Sequence, residues 1–389
     1  MHQSSSLARF IALYAALYAG FGVLSPFLPD LLHRRGLSAA EIGGLMALGT
    51  AVRLVAGPLA GRLADRYQAW RWTLFACAFG AGLATMLYLP VDGFWALLVV
   101  ALVQAAALAP LAPLSDAMAV SASSERGSGF NYGWVRGAGS AAFIVGAIVA
   151  GHAAGPLGIG VTIWCSALLL GVAAVAALPL PDIAVPKRPQ RLPSNGRHCN
   201  GIGFLLSIPA FRRLLLVGAL ILGSHALHDT FAVIAWRAAG IGSGTASLLW
   251  SESVASEVVV FFFLGPWLLE RLGPSRAAAL AAGAGVLRWA VMGLTSDVVP
   301  LALVEPLHGF TFALFHLAAM RIIAASVPLR LAATAQAVYG TLAVGAATAL
   351  LTLAAGWLYA GMGVAAFGIM ALLCAAAIPL TPGLMAKGL

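Results

Sequence analysis

Charged residues are scarce in this 389-residue sequence: Asp, Glu, Lys and Arg together make up 9% of it, whereas hydrophobic residues make up 61%. Soluble domains carry roughly 25% charged residues, so a soluble globule of this length could not be covered with polar side chains. The shortage of charge excludes secreted, cytosolic and nucleic-acid-binding globular proteins. It predicts an integral membrane protein whose surroundings are the lipid bilayer, with no nucleic-acid partner.

Cysteine and the common catalytic motifs are also rare or missing. The four cysteines are scattered and form no Cys-x-x-Cys pair, so we expect free thiols with neither a disulfide framework nor a zinc site. No phosphate-binding Walker loop, Gly-x-Ser-x-Gly or His-Glu-x-x-His motif is present. The sequence therefore predicts a protein that is not an enzyme, takes no cofactor and does not use ATP.

Long apolar runs make up most of the remaining sequence. A hydrocarbon core of about 30 Å takes around 20 apolar residues in a helix, and backbone in lipid must satisfy its own hydrogen bonds, which favours helices. The first run exceeds the apolar region of a signal peptide, so we expect an uncleaved span. Twelve spans are predicted, at about 8–32, 41–62, 70–90, 94–120, 130–152, 157–180, 210–236, 243–269, 275–296, 299–323, 331–359 and 363–385.

A polar, proline-rich segment at 181–208 separates six predicted spans from six. It carries the basic residues Lys187, Arg188, Arg191 and Arg197. Such composition is typical of a linker at the cytoplasmic surface. We therefore predict an N-terminal six-helix bundle at 1–180, a cytoplasmic linker at 181–208 and a C-terminal six-helix bundle at 209–389.

The distribution of basic residues predicts the orientation. With both termini inside, only Arg34, Arg35 and Arg237 of the 22 Lys and Arg residues fall in outer segments. Four more lie within apolar runs, namely Arg53, Arg136, Arg288 and Arg321, and the other fifteen, including Arg126 and Lys387, are cytoplasmic. By the positive-inside rule, we expect a multi-pass protein of the inner (plasma) membrane with both termini in the cytoplasm.

The two halves share short patterns. Residues 63–66 (Leu-Ala-Asp-Arg) recur 205 positions later at 268–271 (Leu-Leu-Glu-Arg), and the Tyr-Gly pair at 132–133 recurs 207 positions later at 339–340. Near-constant offsets on the same membrane side indicate two parallel six-helix repeats. They also predict a substrate site between the halves, near the middle of the membrane.

Twelve spans in two parallel halves, with a Gly-x-x-x-Asp-Arg loop at 61–66, resemble the major facilitator superfamily. The resemblance implies that family's all-α fold and a secondary transporter that works by rocker-switch alternating access. Where the family usually has a further glycine in this loop, the chain has Gln68. We expect a gating role for Gly61, Asp65 and Arg66 in the first half and for Glu270 and Arg271 in the second; the alternative is ordinary flanking charge.

Within that superfamily, four segments resemble the lactose permease and phenylpropionate-transporter group of proton symporters. They are 132–140, 253–257, 286–289 and 305–310. By this resemblance Arg136 takes the place of a sugar-binding arginine and Glu257 that of an essential glutamate. Arg288 and His308 match the arginine and histidine of a proton-coupling cluster. Where the permease has its proton-carrying glutamate, this chain has Thr311.

Charges inside the spans are costly, so each is a candidate functional residue. At 1.5 Å per residue, Asp116 and Arg136 are both about 15 Å from the same cytoplasmic turn, and Glu257 and Arg288 share a depth of about 18–20 Å. Matching depths favour the pairs Asp116–Arg136 and Glu257–Arg288, which either act in transport or only fix helix packing. Arg53, about 13 Å deep, has no obvious partner and is a candidate contact for substrate or gate.

Two predicted spans also carry polar stripes. The seventh has His225, His228, Asp229 and Trp236, and the tenth has Glu305, His308, Phe312 and His316, at spacings of three and four. A metal site, satisfied interior histidines and proton coupling are the three interpretations. Because histidine titrates near neutrality, a Glu305–His308 pair could bind and release a proton.

Among the acids we expect Glu305 to carry the coupled proton. Glu257 would be held ionised by Arg288, and Asp229, about 24 Å from Arg213, would lie nearer the outer face. Asp229 and Arg288 remain candidate coupling residues beside Glu305 and His308. The candidate substrate contacts are Arg53, Asp116, Arg136, Glu257 and Trp236.

The sequence as a whole predicts a functional monomer that uses the proton gradient to take up a small organic solute. An organic acid is the leading candidate, with an aromatic carboxylate first, because Arg53 has no predicted carboxylate partner and the resemblance includes phenylpropionate transporters. A sugar or nucleoside proton symporter, a drug/proton antiporter and a non-transporting membrane sensor are the alternatives.

Overall fold

The structure is a computed structural model that describes residues 2–124, 130–180 and 201–384. These residues are almost entirely helical, and no strand occurs among them. Most of the predicted linker, including its four basic residues, lies outside the described residues, as do Arg126 and Lys387. The predicted domain boundaries at 180 and 209 therefore stay a prediction.

The helices follow one another with short connections. The α-helices of the described residues are α1 (His2–Leu24), α2 (Leu28–Arg34), α3 (Ala39–Tyr67), α4 (Trp70–Met86), α5 (Phe94–Leu108), α6 (Leu111–Ser124), α7 (Tyr132–Leu157), α8 (Gly160–Ala177), α9 (Gly201–Ser207), α10 (Pro209–Gly223), α11 (His225–Ala238), α12 (Ser243–Val259), α13 (Gly265–Leu294), α14 (Val298–Val304), α15 (Phe315–Ser326), α16 (Ala332–Val338), α17 (Ala347–Met362) and α18 (Phe367–Ala377).

Short segments of other helix types join several of these helices without a loop. The π-helical segments are Val260–Leu264, Phe310–Leu314 and Tyr339–Ala346, and the 3₁₀ segments are Glu305–Leu307, Leu329–Leu331, Gly363–Ala366 and Ile378–Leu384. Single π turns inside helices often occur at functional sites. The π segment Val260–Leu264 follows helix α12 directly. The 3₁₀ segment Glu305–Leu307 and the π segment Phe310–Leu314 lie between α14 and α15, in the stretch that carries Glu305 and His308.

Nine continuous helical stretches among the described residues are long and apolar enough to cross a membrane. The multi-pass membrane character predicted from composition is therefore confirmed. Two of these stretches, Ser243–Leu294 and Leu329–Leu384, have 52 and 56 residues, more than one crossing of about 20 residues needs. Each contains a glycine in the left-handed region, Gly273 at φ 72° and Gly363 at φ 56°.

Those two glycines lie at or beside the predicted span boundaries, where the backbone changes direction. Helix α4 has 17 residues, most of them apolar, and lies within the predicted third span at 70–90. The arrangement as twelve spans in two repeats stays a prediction.

The described residues group into two compact units. The first unit comprises the described residues of Met1–Leu37, Leu48–Asn195 and Ser243–Ser247, and the second those of Ser38–Ala47, Gly196–Gly242 and Leu248–Leu389. In the first unit α1 packs against α7 and α8. The approach is close because Gly146 has no side chain; a Cβ there would lie 2.6 Å from the Ala19 carbonyl oxygen.

In the second unit a glycine sets the distance between the two elements that carry most of its polar residues. A Cβ on Gly309 would lie 2.6 Å from the carbonyl oxygen of Ser256, which is too close for any residue larger than glycine. The Gly309 amide also donates to Ser256 Oγ at 3.0 Å. The segment bearing Glu305 and His308 is therefore held directly against helix α12.

Candidate functional site

A buried ion pair lies at the centre of the second unit. The side chains of Arg288 and Glu305 are both 0% exposed, and Arg288 Nη2 donates to Glu305 Oε2 at 2.6 Å. The hydroxyl of Ser253 donates to the same carboxylate oxygen. The guanidinium lies 4.4 Å from the centre of the Trp289 ring. A buried pair of charges is retained only when further hydrogen bonds of this kind compensate its lost hydration.

Two histidines flank the arginine. His308 Nδ1 lies 2.8 Å from Arg288 Nη1, and His228 Nε2 lies 3.2 Å from Arg288 Nη2. A guanidinium has donors only, so both of these ring nitrogens accept. The proton of each neutral imidazole is therefore assigned to its other nitrogen, Nε2 of His308 and Nδ1 of His228.

The remaining N–H of each histidine donates a hydrogen bond to a carboxylate that lies farther from the arginine. His308 Nε2 donates to Glu257 Oε1 at 2.7 Å, and His228 Nδ1 donates to Asp229 Oδ1 at 3.1 Å. The Glu257 and Asp229 side chains are 24% and 51% exposed, whereas the centre is buried. Two hydrogen-bonded branches thus run from one arginine to two accessible acids.

We refer to these groups together as the Arg288 cluster. Its members are Arg288, Glu305, Ser253, His228, His308, Glu257 and Asp229. Aromatic rings fix the two imidazoles: Trp250 stacks on His228 at 5.0 Å between ring centres, and Phe312 stacks on His308 at 5.8 Å. Because both imidazoles are fixed by rings and hydrogen bonds, the cluster has one well-defined arrangement.

The cluster differs from the predicted pairing in three respects. Arg288 pairs with Glu305 and not, as matching depth indicated, with Glu257, because depth along a helix does not say which neighbour its side chain faces. Glu305 contacts His228, with Oε1 3.4 Å from Nε2, whereas His308 contacts Glu257. Asp229 is bonded to the cluster, although its depth alone placed it apart.

The first unit holds a second polar group, built from tyrosines. Asp116 Oδ1 accepts hydrogen bonds from the hydroxyls of Tyr14 at 2.6 Å and Tyr132 at 2.8 Å. Arg136 donates to the hydroxyl of Tyr18, and its guanidinium lies 4.9 Å from the centre of that ring. The Tyr14 and Tyr18 rings are stacked at 5.5 Å.

The predicted direct pair of Asp116 and Arg136 is therefore wrong. Tyrosines stand between the two side chains, and no ion pair of either occurs among the described residues. The hydrogen bonds that Asp116 accepts from Tyr14 and Tyr132 come from neutral phenols, which leave the negative charge of the carboxylate in place. Arg136 consequently presents a half-buried positive charge on an aromatic surface.

The two other predicted substrate contacts lie in different surroundings. Arg53 lies on α3 with an exposed side chain, and neither an ion pair nor a hydrogen bond of its side chain occurs in the part of the chain that the structure describes. Trp236 is 2% exposed and packs edge-on against His228 at 5.9 Å. Trp236 thus packs against the Arg288 cluster, and its role as a substrate contact stays a prediction.

The predicted gating residues lie at two turns. Asp65 and Arg66 are exposed near the end of α3, as are Glu270 and Arg271 on α13, and Gly61 lies one turn earlier on α3. Neither acid forms an ion pair within the described ranges. The predicted gating role of these residues stays a prediction.

These two turns share an unusual backbone conformation. Gln68 is the one non-glycine residue with positive φ among the described residues, at 51°, and Gly273 has φ 72°. The two positions are 205 residues apart, the same offset as the Asp-Arg and Glu-Arg pairs. The left-handed turn explains why a glycine suits this position, and it gives the sequence repeat a structural counterpart.

Sequence reasoning missed the residues that connect the charges. Tyr14, Tyr18 and Tyr132 were not singled out, although Tyr14 and Tyr18 are four apart on one helix and a hydroxyl in a span needs a partner. Ser253 and Trp250 were missed because one serine or tryptophan in an apolar run carries no distinctive signal. His228 was recognised only as part of a stripe.

Comparisons with known proteins agree with this architecture. Residues 7–369 match the model of the MFS_1 like family. The chain is 33% identical to a probable 3-phenylpropionic acid transporter of Escherichia coli (strain K12), over 96% of this chain and 97% of that protein. It is 27% identical to a maltose permease of Geobacillus stearothermophilus, over 89% of this chain and 86% of the permease.

A solved structure shares the fold. The crystal structure of the nucleoside transporter NupG superimposes with a TM-score of 0.79 at 18% identity, covering 97% of this chain and 98% of that one. The superfamily predicted from the sequence is confirmed, and the protein is a transporter that crosses the membrane several times. The chain belongs to the MFS_1 like family of major facilitator transporters.

Proposed function

We propose that this transporter is a proton-coupled symporter that takes up a small aromatic carboxylate, such as 3-phenylpropionate, by alternating access. The observation that carries the proposal is the environment of Arg136. Its guanidinium lies on the face of Tyr18 and donates to a neutral phenol, so its positive charge has no carboxylate partner among the described residues. A ligand with a carboxylate and an aromatic ring matches both features of this surface.

Asp116 contributes to this arrangement by orienting the tyrosines. It accepts from Tyr14 and Tyr132, and Tyr14 in turn stacks on Tyr18. The rings are therefore positioned before any ligand arrives, which lowers the entropic cost of binding. Arg53, also without an ion pair within the described residues, is a second cation available to an anionic ligand or to a gate.

The proposed proton site is the His308–Glu257 pair. The sequence favours Glu305 on the expectation that Arg288 holds Glu257 ionised, but in the structure Arg288 contacts Glu305. Glu305 is fully buried and fixed by Arg288 and Ser253, whereas Glu257 is partly exposed and accepts a hydrogen bond from His308. Because an arginine holds an adjacent carboxylate ionised, Glu257 is the better candidate for the acid that gains and loses the proton.

The test is uptake of radiolabelled 3-phenylpropionate into proteoliposomes with and without an inward proton gradient. We expect accumulation only with the gradient. The uncharged amide of the same acid should fail to compete, because it cannot pair with Arg136. Uptake that ignores the gradient, or full competition by the amide, would contradict the proposal.

Two variants of the first unit provide matched controls. Arg136→Gln should abolish binding of 3-phenylpropionate, since it removes the cation, and Tyr18→Phe should only weaken it, since the ring remains. Both variants should keep the wild-type melting temperature within a few degrees if Arg136 serves binding and not packing. Retained binding by Arg136→Gln would make the arginine structural.

Sugar uptake is the second candidate function, favoured by the similarity to a maltose permease. Phenol and carboxylate groups like those around Asp116 also suit sugar hydroxyls. Maltose is therefore included as a competitor, and uptake of labelled maltose in place of 3-phenylpropionate would establish this alternative.

A further inference from the structure

The Arg288 cluster has two branches of the same construction. On one, Arg288 Nη1 donates to His308, which donates to Glu257; on the other, Arg288 Nη2 donates to His228, which donates to Asp229. Only the first branch is used in the function proposed above. The second has the same order of groups, the same hub and an even more exposed terminal acid.

We propose that His228 and Asp229 form a second proton-binding pair, so that the second unit binds two protons in each transport cycle. This inference rests on the proposed proton coupling and adds its stoichiometry. The proton is assigned to the pair, because strongly coupled groups titrate together and not singly.

The charge balance of the cluster supports two protons. With both histidines neutral, the cluster contains one cation, Arg288, and three carboxylates, Glu305, Glu257 and Asp229. Arg288 compensates the buried carboxylate of Glu305, whereas the hydrogen bond that Asp229 accepts comes from a neutral imidazole and leaves the negative charge of Asp229 in place. Uncompensated charge is costly once it is shut away from water. One proton on each branch makes the whole cluster neutral.

Arg288 also dictates where these protons can bind. While the guanidinium donates to His308 Nδ1 and His228 Nε2, neither nitrogen can accept a proton. An added proton must therefore enter at the far side of each ring, where Glu257 and Asp229 lie. The two sites therefore share Arg288, but each binds its proton at a different carboxylate.

Other titratable groups also lie around His228 and Asp229, beginning with Glu305, whose Oε1 is 3.4 Å from His228 Nε2. On the same helix His225 packs against Trp289 at 5.4 Å and against His308 at 4.8 Å. Of the elements packed on that helix, α17 contributes Tyr359, which stacks on Phe231, and α18 contributes Cys374, which contacts Ser224. Helix α12 contributes Glu252, whose side chain has no hydrogen bond in the described part of the chain.

Infrared difference spectra between neutral and acid pH test the site without any substrate. They detect protonation of carboxyl and imidazole groups in the full-length protein in liposomes. Among the titrating signals of the wild type we expect one that is lost in Asp229→Asn and a second that is lost in Glu257→Gln. Asp297→Asn, an exposed acid between helices, should leave both signals in place. A spectrum unchanged by Asp229→Asn would overturn the proposal.

The stoichiometry is then measured from the gradients at which net flux stops, with the membrane potential clamped at zero and 3-phenylpropionate as the probe. For two protons the substrate gradient equals the square of the proton gradient, and for one proton it equals the proton gradient itself. We expect the square for wild type and for Glu252→Gln, and the first power for Asp229→Asn.

A first-power relation in the wild type would overturn the second site while leaving proton-coupled symport standing. Absence of any gradient-driven uptake would instead refute the proposed function. In that case the infrared result alone decides whether His228 and Asp229 bind a proton.

Discussion

At the scale of single residues, two acids of the second unit that look alike in the sequence have different surroundings in the structure. Glu305 and Glu257 both lie in apolar runs, yet one is a buried counter-ion of Arg288 and the other is a partly exposed hydrogen-bond acceptor of His308. Removing a buried counter-ion leaves a charge without compensation, whereas neutralising an exposed acid does not. Substitution of these two acids should therefore affect different properties of the protein.

We predict that Glu305→Gln lowers stability and that Glu257→Gln lowers coupling. Loss of the Glu305 charge leaves Arg288 buried and unpaired, at a cost of about 3–5 kcal/mol, which should appear as a lower melting temperature. Glu257→Gln should keep the wild-type melting temperature and substrate counterflow but lose uphill accumulation. Normal stability of Glu305→Gln together with lost accumulation would return the coupling role to Glu305.

A second residue-scale prediction concerns the turn after α3. Gln68 has φ 51°, a left-handed conformation that costs a residue with a Cβ about 1–2 kcal/mol. Gln68→Gly should therefore raise the free energy of unfolding by about 1 kcal/mol, measured by thermal unfolding in detergent. Gln68→Ala, which keeps the Cβ but loses the side-chain hydrogen bond to the Asp65 carbonyl, should not be stabilising. Equal effects of the two variants would exclude backbone strain as the cause.

At the scale of elements, the Arg288 cluster depends on how closely two segments meet. Glu305 opens a 3₁₀ segment, His308 follows it, and a π segment begins at Phe310. These departures from the α-helix change which residues share a face, so Glu305 and His308 reach different partners despite lying three residues apart. Gly309, in the same region, permits contact with the backbone of Ser256.

Gly309→Ala should consequently disturb the cluster without altering any of its members. The new methyl group would meet the Ser256 carbonyl and push the segments apart, which we expect to cost about 1–3 kcal/mol. Gly283→Ala is the matched control, because a Cβ at that helical position meets nothing within 4 Å. Lower thermal stability and weaker coupling in the first variant, with neither in the second, is the expected result; identical behaviour would contradict it.

At the scale of the whole molecule, the two units carry different chemistry. The first presents tyrosines around Asp116 and around Arg136, which has no ion pair in the described part of the chain, and the second contains an arginine between two histidine–carboxylate branches. Separate groups for ligand and proton suit the proposed symport, because the two groups can then be altered independently. The internal repeat is visible in the left-handed turns at Gln68 and Gly273 but not in these side chains.

The topology gives a whole-molecule prediction. The excess of Lys and Arg in alternate loops predicts that both termini are cytoplasmic. A green fluorescent protein fused to the C-terminus should fluoresce in cells, whereas alkaline phosphatase fused at the same point should be inactive. The opposite pattern would mean that the number of spans is odd or that the orientation is reversed.

The sequence by itself determined the membrane class, the superfamily and which residues are polar in an apolar setting. Those features depend on composition, run length and local motifs, all of which can be counted along the chain. Arg136, Arg288, Glu257, Glu305, His308 and Asp229 were identified as candidates in this way, since a charge within a span is costly wherever it points.

Only the tertiary structure decided which of these residues contact one another. The estimated depth in the membrane is the same for Arg288 and Glu257, and the same for Arg136 and Asp116. Neither of these pairs forms in the structure. The direction in which each helix faces, the irregular turns at 305–314 and the intervening tyrosines are set by packing between segments far apart in sequence. The branched arrangement around Arg288 is therefore a property of the folded unit, because it requires four separate segments to meet at one point.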